Sequence, residues 1–343
     1  MMTRKRFAAI VVSMFLFAWF TSVSAKSGSQ YHLVKTIHLP GNGHWDLLTA
    51  DSNSRKLYVT HDTVVHVIDM DTDRLIGNVT GDIGHTHGVA LAPAVNRGYV
   101  TSSLHSTIAS FALDTRKIIG QIPSWKGPDA IAFDPKTNRI FAFNEDVENI
   151  TVVNPKSNKV IGSIPLTSGP EAGVADGKGT LFLNLVDRNQ VAVIDTSKLT
   201  ITKQFSTLPG TKPTGLAVDP IHHLLFVGCR NRKMVVLNAT TGAHVADFPI
   251  GNRVDTTLFD PASRLIFNSN GDGTLTILHE DSPNQFSGLR TIKTQFGAKT
   301  MAIDLKTGNL YLATAQFEPG FRPAPGRRPK VVPGTFVLLK FAP

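Results

Sequence analysis

The protein has 343 residues, with 28 Gly, 20 Pro and one Cys, and its 35 Lys and Arg against 26 Asp and Glu give a formal net charge of +9. A chain of this length can bury a large core, which excludes a disordered or collagen-like protein, and a single Cys excludes an internal disulfide framework or a Cys-rich zinc site. The low charged fraction of 18% and the many turn-forming residues favour a β-rich globular protein.

The first 25 residues have the layout of a secretory signal peptide. Three cations at residues 4–6 are followed by an apolar run over residues 7–20, and small residues stand at the −3 and −1 positions of a cut after Ala25. We therefore predict a cleaved signal peptide over residues 1–25 and a periplasmic or secreted protein. The apolar run is shorter than the ~20 residues that cross a membrane, so no membrane span is expected.

One turn motif recurs through the rest of the chain. In its clearest copy, the Asp-Pro-Lys-Thr-Asn sequence of residues 134–138 lies between two apolar segments. Asp accepts hydrogen bonds from the backbone ahead of it and Pro presets φ, so this sequence is a turn. Equivalent anchor positions recur every 41 to 44 residues, at Asp51, Ala92, Asp134, Asp176, Asp219, Asp260 and Asp304.

Each repeat contains four short apolar segments, which is typical of a β-propeller blade. We predict an all-β fold, a seven-bladed β-propeller, with residues 26–343 as a single domain. The last repeat ends after its third strand, whereas residues 31–39 have the pattern of a fourth strand. The N-terminal strand is therefore expected to pair in the C-terminal blade, which closes the ring and removes exposed sheet edges.

Two short phrases directly after turn anchors carry a family resemblance. Leu-Tyr-Val-Thr over residues 57–60 and Gly-Tyr-Val-Thr over residues 98–101 resemble the YVTN-type β-propeller repeat of YncE-like exported bacterial proteins. The resemblance extends over essentially the whole mature chain. It implies a seven-bladed propeller and export, and it implies no settled activity. Nucleic-acid binding is associated with one relative, but no motif in this chain carries that property.

The residue five positions before each anchor should lie at one mouth of the central channel. We call this set the mouth ring; its members are Asp46, His87, Asp129, Glu171, Thr214, Asp255 and Lys299. Carboxylates brought together raise one another's pKa or recruit a cation. One interpretation is a divalent metal site for Ca²⁺, Zn²⁺ or Mn²⁺ formed by Asp46, His87, Asp129 and Glu171. The other is that the carboxylates cap backbone N–H groups between blades.

Further candidates for a binding site fall on the same face. His44 lies next to the ring, Trp45 and Trp125 precede first strands, and Arg230 belongs to the Cys-Arg-Asn loop of residues 229–231. The two Trp side chains suit either a binding platform or packing between blades. Residues 317–333 form a Pro- and Arg-rich loop inserted in the last blade, and its cations would complement an acidic mouth: Arg322, Arg327, Arg328 and Lys330. No base accompanies Cys229 at a fixed spacing, which argues against a nucleophilic thiol.

Three function classes follow from these candidates. The first is a non-enzymatic binding or scaffold module, monomeric and exported, with a protein, glycan or small molecule bound on the loop-rich face. The second is a metal-dependent, lactonase-like hydrolase or lyase with its metal at the channel and His87 or Glu171 as base. The third is single-stranded nucleic-acid binding through the basic loop and the two Trp side chains.

Overall fold

The structure is a computed structural model that describes residues 31–320 and 330–343. The predicted signal peptide and the loop residues Arg322, Arg327 and Arg328 lie outside the described residues. Residues 31–343 form one compact unit. Among the described residues, no helix is long and apolar enough to cross a membrane.

The unit is built from seven four-stranded antiparallel sheets, which confirms the all-β, seven-bladed propeller. Six blades contain four consecutive strands each, in the order inner to outer: β2 (Trp45–Asp51), β3 (Lys56–His61), β4 (Val64–Asp69) and β5 (Arg74–Val79); β6 (Thr86–Ala92), β7 (Arg97–Ser102), β8 (Thr107–Ala112) and β9 (Ile118–Pro123); β10 (Pro128–Asp134), β11 (Arg139–Asn144), β12 (Asn149–Asn154) and β13 (Lys159–Pro165); β14 (Pro170–Ala175), β15 (Thr180–Leu185), β16 (Gln190–Asp195) and β17 (Thr200–Ser206); β18 (Pro213–Asp219), β19 (Leu224–Cys229), β20 (Lys233–Asn238) and β21 (His244–Pro249); β22 (Val254–Asp260), β23 (Leu265–Asn270), β24 (Thr274–Ser282) and β25 (Gln285–Lys293).

The seventh blade joins the two ends of the chain. Its strands are β26 (Thr300–Ile303), β27 (Leu310–Thr314), β28 (Val337–Ala342) and, as the outermost strand, β1 (His32–His38). β1 pairs antiparallel with β28 from His32 opposite Ala342 to His38 opposite Val337. The predicted closure of the ring by the N-terminal strand is confirmed.

Two faces of the ring differ in chemistry. The turn face carries the anchors, and at Asp134 the carboxylate accepts backbone N–H groups of Lys136 at 3.1 Å and Thr137 at 3.2 Å, as the turn sequence predicts. Two short 3₁₀ segments, Pro93–Val95 and Glu145–Val147, lie in loops. The opposite face, which we call the mouth face, carries the start of each first strand, the loops between second and third strands, and the connections between blades.

The core lies between adjacent blades and not within one blade. The described residues form seven apolar clusters, and each draws its side chains mainly from two adjacent sheets. Tyr58, for example, packs with Val89 and Val100 of the next blade. The Tyr of each Tyr-Val-Thr phrase is fully buried, and the Tyr99 hydroxyl lies 3.1 Å from Asn158 Oδ1 of the next blade. Burial of apolar surface between sheets therefore fixes the angle at which neighbouring blades meet.

Candidate functional site

The mouth ring forms because the same position recurs in every innermost strand. Six of its residues are the second residue of β2, β6, β10, β14, β18 and β22, and Lys299 directly precedes β26. In those six strands the pairing register shifts immediately after the strand's first residue. Such bulges re-aim side chains, and they leave the second residue unpaired with the neighbouring strand.

The Thr of the Tyr-Val-Thr phrase holds the ring backbone. Thr60 Oγ1 lies 3.0 Å from the carbonyl oxygen of His87, and Thr101 Oγ1 donates to the carbonyl oxygen of Asp129 at 2.5 Å. Ser269 makes the equivalent bond to Lys299 at 2.5 Å. A hydroxyl in the second strand of one blade thus satisfies the ring carbonyl of the next blade, which a bulge would otherwise leave without a partner.

His87 joins residues of three blades. Its Nδ1 lies 2.7 Å from Asp46 Oδ2 and 3.0 Å from Asp129 Oδ1, and the three side chains are each about one-fifth exposed. Burial opposes the charged imidazole, but the hydrogen bonds to Asp129 and Asp46 outweigh it and raise the pKa of His87 to about 10. The imidazole is therefore protonated on both nitrogens at neutral pH.

The other ring nitrogen of His87 contacts a hydroxyl that sequence reasoning did not single out. Ser103 Oγ lies 2.9 Å from Nε2, which gives the order of groups found in Ser-His-Asp hydrolases. In such a hydrolase the neutral imidazole takes the proton of the serine. Because the second carboxylate keeps His87 protonated, Nε2 donates to Ser103 and cannot activate it at neutral pH. The arrangement at neutral pH is a charged hydrogen-bond network and not a nucleophile with its base.

Glu171 and Arg230 form the next part of the ring. Arg230 Nη2 lies 2.5 Å from Glu171 Oε1, and its Nε donates to the hydroxyl of buried Thr214 at 3.0 Å. Burial and the nearby carboxylates of Asp255 and Asp129 raise the pKa of Glu171 to about 8, against the opposing effect of Arg230. Burial and Asp129 also raise the pKa of Glu145 in the adjacent loop.

Lys299 and Asp255 complete the ring with an ion pair of 2.5 Å. Burial disfavours the charged ammonium, yet Asp255 and Asp46 raise the pKa of Lys299 above its ordinary value. Within the described ranges, each of the four ring carboxylates thus contacts a cationic side chain. This differs from the alternative in which they cap backbone N–H groups, because the cations offer shorter and charge-assisted bonds.

In the described part of the chain, two pockets on the mouth face are lined by ring residues. One of about 330 Å³ contains Asp46, His87 and Ser103 and is also lined by His44 and Trp45. The other, of about 300 Å³, is lined by Arg230, Asp255, Lys299, Asn252, Arg253 and Val254. The ring side chains thus border space in which a ligand can be held.

The two Trp residues have different surroundings. Trp45 packs on Phe336 and Phe317, with ring centroids 5.2 and 6.1 Å apart, and it also lines the larger pocket. It therefore serves packing and borders the site. Trp125 is 54% exposed on the mouth face, as a binding platform requires.

Phe317 begins the inserted loop of the last blade. Phe317 pairs in an isolated antiparallel bridge with Val331, and Glu318 N donates to the carbonyl of Lys330 at 2.9 Å. These contacts bring the two described ends of the loop together next to Trp45. Residues 321–329 lie outside the described residues.

Metal-binding geometry is present for three of the four proposed ligands. One ligand atom each of Asp46, His87 and Asp129 lies within 4.8 Å of the other two, whereas Glu171 contacts Arg230. A metal ion at this place would have to replace the proton that His87 Nδ1 shares with the two carboxylates. A divalent ion fits the donor set, since imidazole and carboxylate are ligands of Zn²⁺ and Mn²⁺.

A second acid and histidine cluster lies on the turn face. His222 Nδ1 is 2.6 Å from Asp219 and 3.0 Å from the fully buried Glu280, which Arg264 also contacts at 3.2 Å. His222 and Arg264 thus link two carboxylates of neighbouring blades. We interpret this cluster as an ion-pair network that joins blades, because Arg264 already occupies the charge-compensating place of a metal ion.

Cys229 is a buried thiol that lacks the properties of a reactive one. Burial raises its pKa to about 12, so the thiolate is scarce at neutral pH. The side chain packs in the apolar cluster between the fourth and fifth blades. The absence of a neighbouring base in the sequence pointed to this inert role.

Comparisons with known proteins define the class by fold. No protein-family model matches the chain, and no curated protein shows significant similarity to it. Among solved structures, a chain of "Crystal Structure of Mitotic Checkpoint Complex" superposes with a TM-score of 0.75 over 98% of this chain and 99% of that chain, at 14% sequence identity. At that identity the likeness concerns the fold alone. The protein is thus a seven-bladed β-propeller with a ring of paired charges at one channel mouth.

Proposed function

We propose that the protein is an exported binding module that holds a ligand on its mouth face, around the mouth ring. The single observation that carries this proposal is the convergence of charged side chains from different blades beside two pockets. Export rests on the layout of residues 1–25, and membership of the YVTN-type repeat family rests on the Tyr-Val-Thr phrases. A neutral-pH network with a protonated His87 favours binding over acyl-transfer chemistry.

The charge of the ring suggests which ligand group it prefers. In the half formed by the first four blades, four carboxyl groups (Asp46, Asp129, Glu145 and Glu171) face two cations, His87 and Arg230. We call this the acidic half. Burial, and then repulsion from nearby carboxylates, raise the pKa values of Glu171 and Glu145. An ammonium group of a ligand would relieve this repulsion, whereas the phosphates of a single-stranded nucleic acid would be repelled.

Propylamine, an ammonium ion at neutral pH, is a suitable probe of the acidic half. We expect weak but saturable binding that strengthens as the pH rises from 6.5 to 9, because Glu171 ionises around pH 8 and its carboxylate then attracts the cation. The measurement is an NMR titration of the ¹⁵N-labelled protein at several pH values. Glu171→Gln should bind more weakly and lose this pH dependence.

The matched control is Asp187→Asn, which removes an exposed carboxylate from the same face outside the ring. It should leave the affinity for propylamine and its pH dependence unchanged. Binding of propylamine that is equal in the wild type and Glu171→Gln would contradict the proposed site.

A second candidate function, a metal-dependent hydrolase or lyase, is supported by the spacing of Asp46, His87 and Asp129. The same three groups would hold a divalent ion, which would polarise a carbonyl or activate water. Addition of Mn²⁺, followed by electron paramagnetic resonance, separates the two functions. Stoichiometric binding that Asp129→Asn abolishes favours the enzyme, and free Mn²⁺ at micromolar protein favours the binding module.

A further inference from the structure

The smaller pocket differs in charge from the acidic half. Its lining includes the cations Arg230, Arg253 and Lys299 and one carboxylate, Asp255. Lys299 is paired with Asp255 at 2.5 Å, and Arg230 with Glu171 at 2.5 Å. Arg253 is therefore the cation of this pocket whose charge is not balanced by either pair.

One buried nitrogen of Arg253 lacks a hydrogen-bond partner among the described residues. This atom is Nη1, and the guanidinium lies over the Phe296 ring, 5.5 Å from the centroid. A buried donor of a charged group that lacks a partner is costly, and such groups in folded proteins usually face a water or an ion. The aromatic ring covers one face of the guanidinium, and Arg253 lines the pocket.

The backbone presents Arg253 to this pocket at a cost. Arg253 has a φ of 63°, in the left-handed region that a long side chain rarely adopts. Its carbonyl oxygen accepts the Gly271 N–H at 2.9 Å, and the next residue, Val254, begins the inner strand β22. The equivalent residues His85, Gly127 and Lys212 also have a positive φ, so this backbone conformation belongs to the repeat.

Among the described residues, the lining of this pocket offers Arg253 no carboxylate that is free of another cation. The residues outside the described ranges, 1–30 and 321–329, contain no Asp or Glu. Within the described ranges, the carboxylate that lines this pocket is Asp255, which Lys299 holds. A carboxylate of a bound ligand would balance the charge of Arg253 in this pocket.

We propose that this pocket binds a carboxylate group of the ligand, with Arg253 as its fork-shaped partner. A guanidinium matches a planar carboxylate with two parallel hydrogen bonds. The cations of the lining outnumber its one carboxylate, so an anionic group fits this pocket. This inference rests on the proposed function and deepens it. Since Arg230 touches Glu171 and lines this pocket, the ligand class is a molecule with both an amino and a carboxylate group, such as an amino acid or a peptide end.

Three small probes test the two halves separately: propionate for the basic pocket, propylamine for the acidic half, and 4-aminobutyrate for both. We expect 4-aminobutyrate to bind at least about tenfold more tightly than either single-charge probe, as two linked contacts should. Arg253→Gln should abolish propionate binding and weaken 4-aminobutyrate at least about tenfold, while propylamine binding stays as in the wild type. Arg253→Lys keeps the charge but loses the fork, and should bind propionate more weakly than the wild type.

Arg188→Gln is the matched control, because it removes an exposed Arg from the same face in the loop after β15. It should bind all three probes as the wild type does, and circular dichroism should show Arg253→Gln to be folded.

Propionate binding that is absent in the wild type, or unchanged in Arg253→Gln, would overturn this inference while propylamine binding would still support the proposed function. Propionate binding that needs Arg253 without any propylamine binding would instead refute the acidic half. Phosphate binding in preference to propionate would also overturn the choice of a carboxylate.

Discussion

A chain that lacks residues 1–39 is expected to lose most of its stability, although it retains six complete blades. The deletion removes β1, the outer strand of the seventh blade, together with the buried side chains of Tyr31, Ile37 and Leu39. Burying one such apolar side chain contributes roughly 1.5–3 kcal/mol. Three of them amount to a large part of the ~5–15 kcal/mol that stabilises a typical domain. The deletion also exposes the edge of β28, which invites pairing between chains.

Urea unfolding and size-exclusion chromatography measure these effects. The control is a chain that lacks residues 1–30 only, which keeps every residue of β1 and should unfold like a chain that lacks residues 1–25. A synthetic peptide of residues 31–39 added to the shorter chain should restore much of the lost stability. If the chain that lacks residues 1–39 unfolds at the same urea concentration as the control, β1 does not close the ring.

Acid is expected to destabilise the protein through a buried pair of histidines behind the mouth. His61 Nδ1 lies 3.1 Å from His66 Nε2, His66 Nδ1 lies 2.8 Å from Asn78 Oδ1, and His61 is 3% exposed beneath the Phe336 ring. Burial, and then the neighbouring His66, lower the pKa of His61 to about 4, and burial also lowers the pKa of His66.

The direction of the pH effect follows from the protons that each state binds. Between pH 6.5 and 4 the unfolded chain protonates His61 while the folded protein keeps it neutral, so acid favours unfolding. The stabilisation is complete above pH 6.5 and falls as the pH drops toward 4, by about 3 kcal/mol from His61 alone. His66 acts in the same direction.

Urea unfolding at pH 7 and at pH 4 tests this expectation. His61→Gln keeps a hydrogen-bonding side chain but cannot titrate, so the difference in unfolding free energy between the two pH values should shrink by about 3 kcal/mol. His38→Gln, at an exposed position, should leave that difference unchanged. An equal pH dependence in the wild type and His61→Gln would contradict the buried, neutral state of His61.

The periodicity of the sequence predicts much of the fold because every blade repeats one turn chemistry. The anchors at Asp134 and Asp304 accept backbone and hydroxyl hydrogen bonds that their sequence demands. The fourth-strand pattern of residues 31–39 requires a partner, and the C-terminal blade offers the unpaired edge. The same repetition predicts the mouth ring, because residues at one position of every inner strand meet around the channel.

The partners within the site could not be derived in the same way. His87 meets Ser103 through a loop of its own blade, and Arg230 reaches from the fifth blade to Glu171 in the fourth. Such contacts depend on side-chain rotamers and on the angle between sheets, which no local spacing encodes. Arg253 lies two residues before Asp255. The sequence marks it only as a cation in a turn next to a ring position.

The titration of His87 tests the central claim most directly, because its pKa depends on carboxylates that two other blades supply. NMR of the ¹⁵N-labelled imidazole, assigned with His87→Gln, should show both ring nitrogens protonated at pH 7 and a pKa of about 10. Asp129→Asn should lower that pKa by removing one of the two carboxylates that hold the proton. A pKa of His87 near 6.5 that Asp129→Asn leaves unchanged would contradict the convergence of the ring, and with it the proposed binding site.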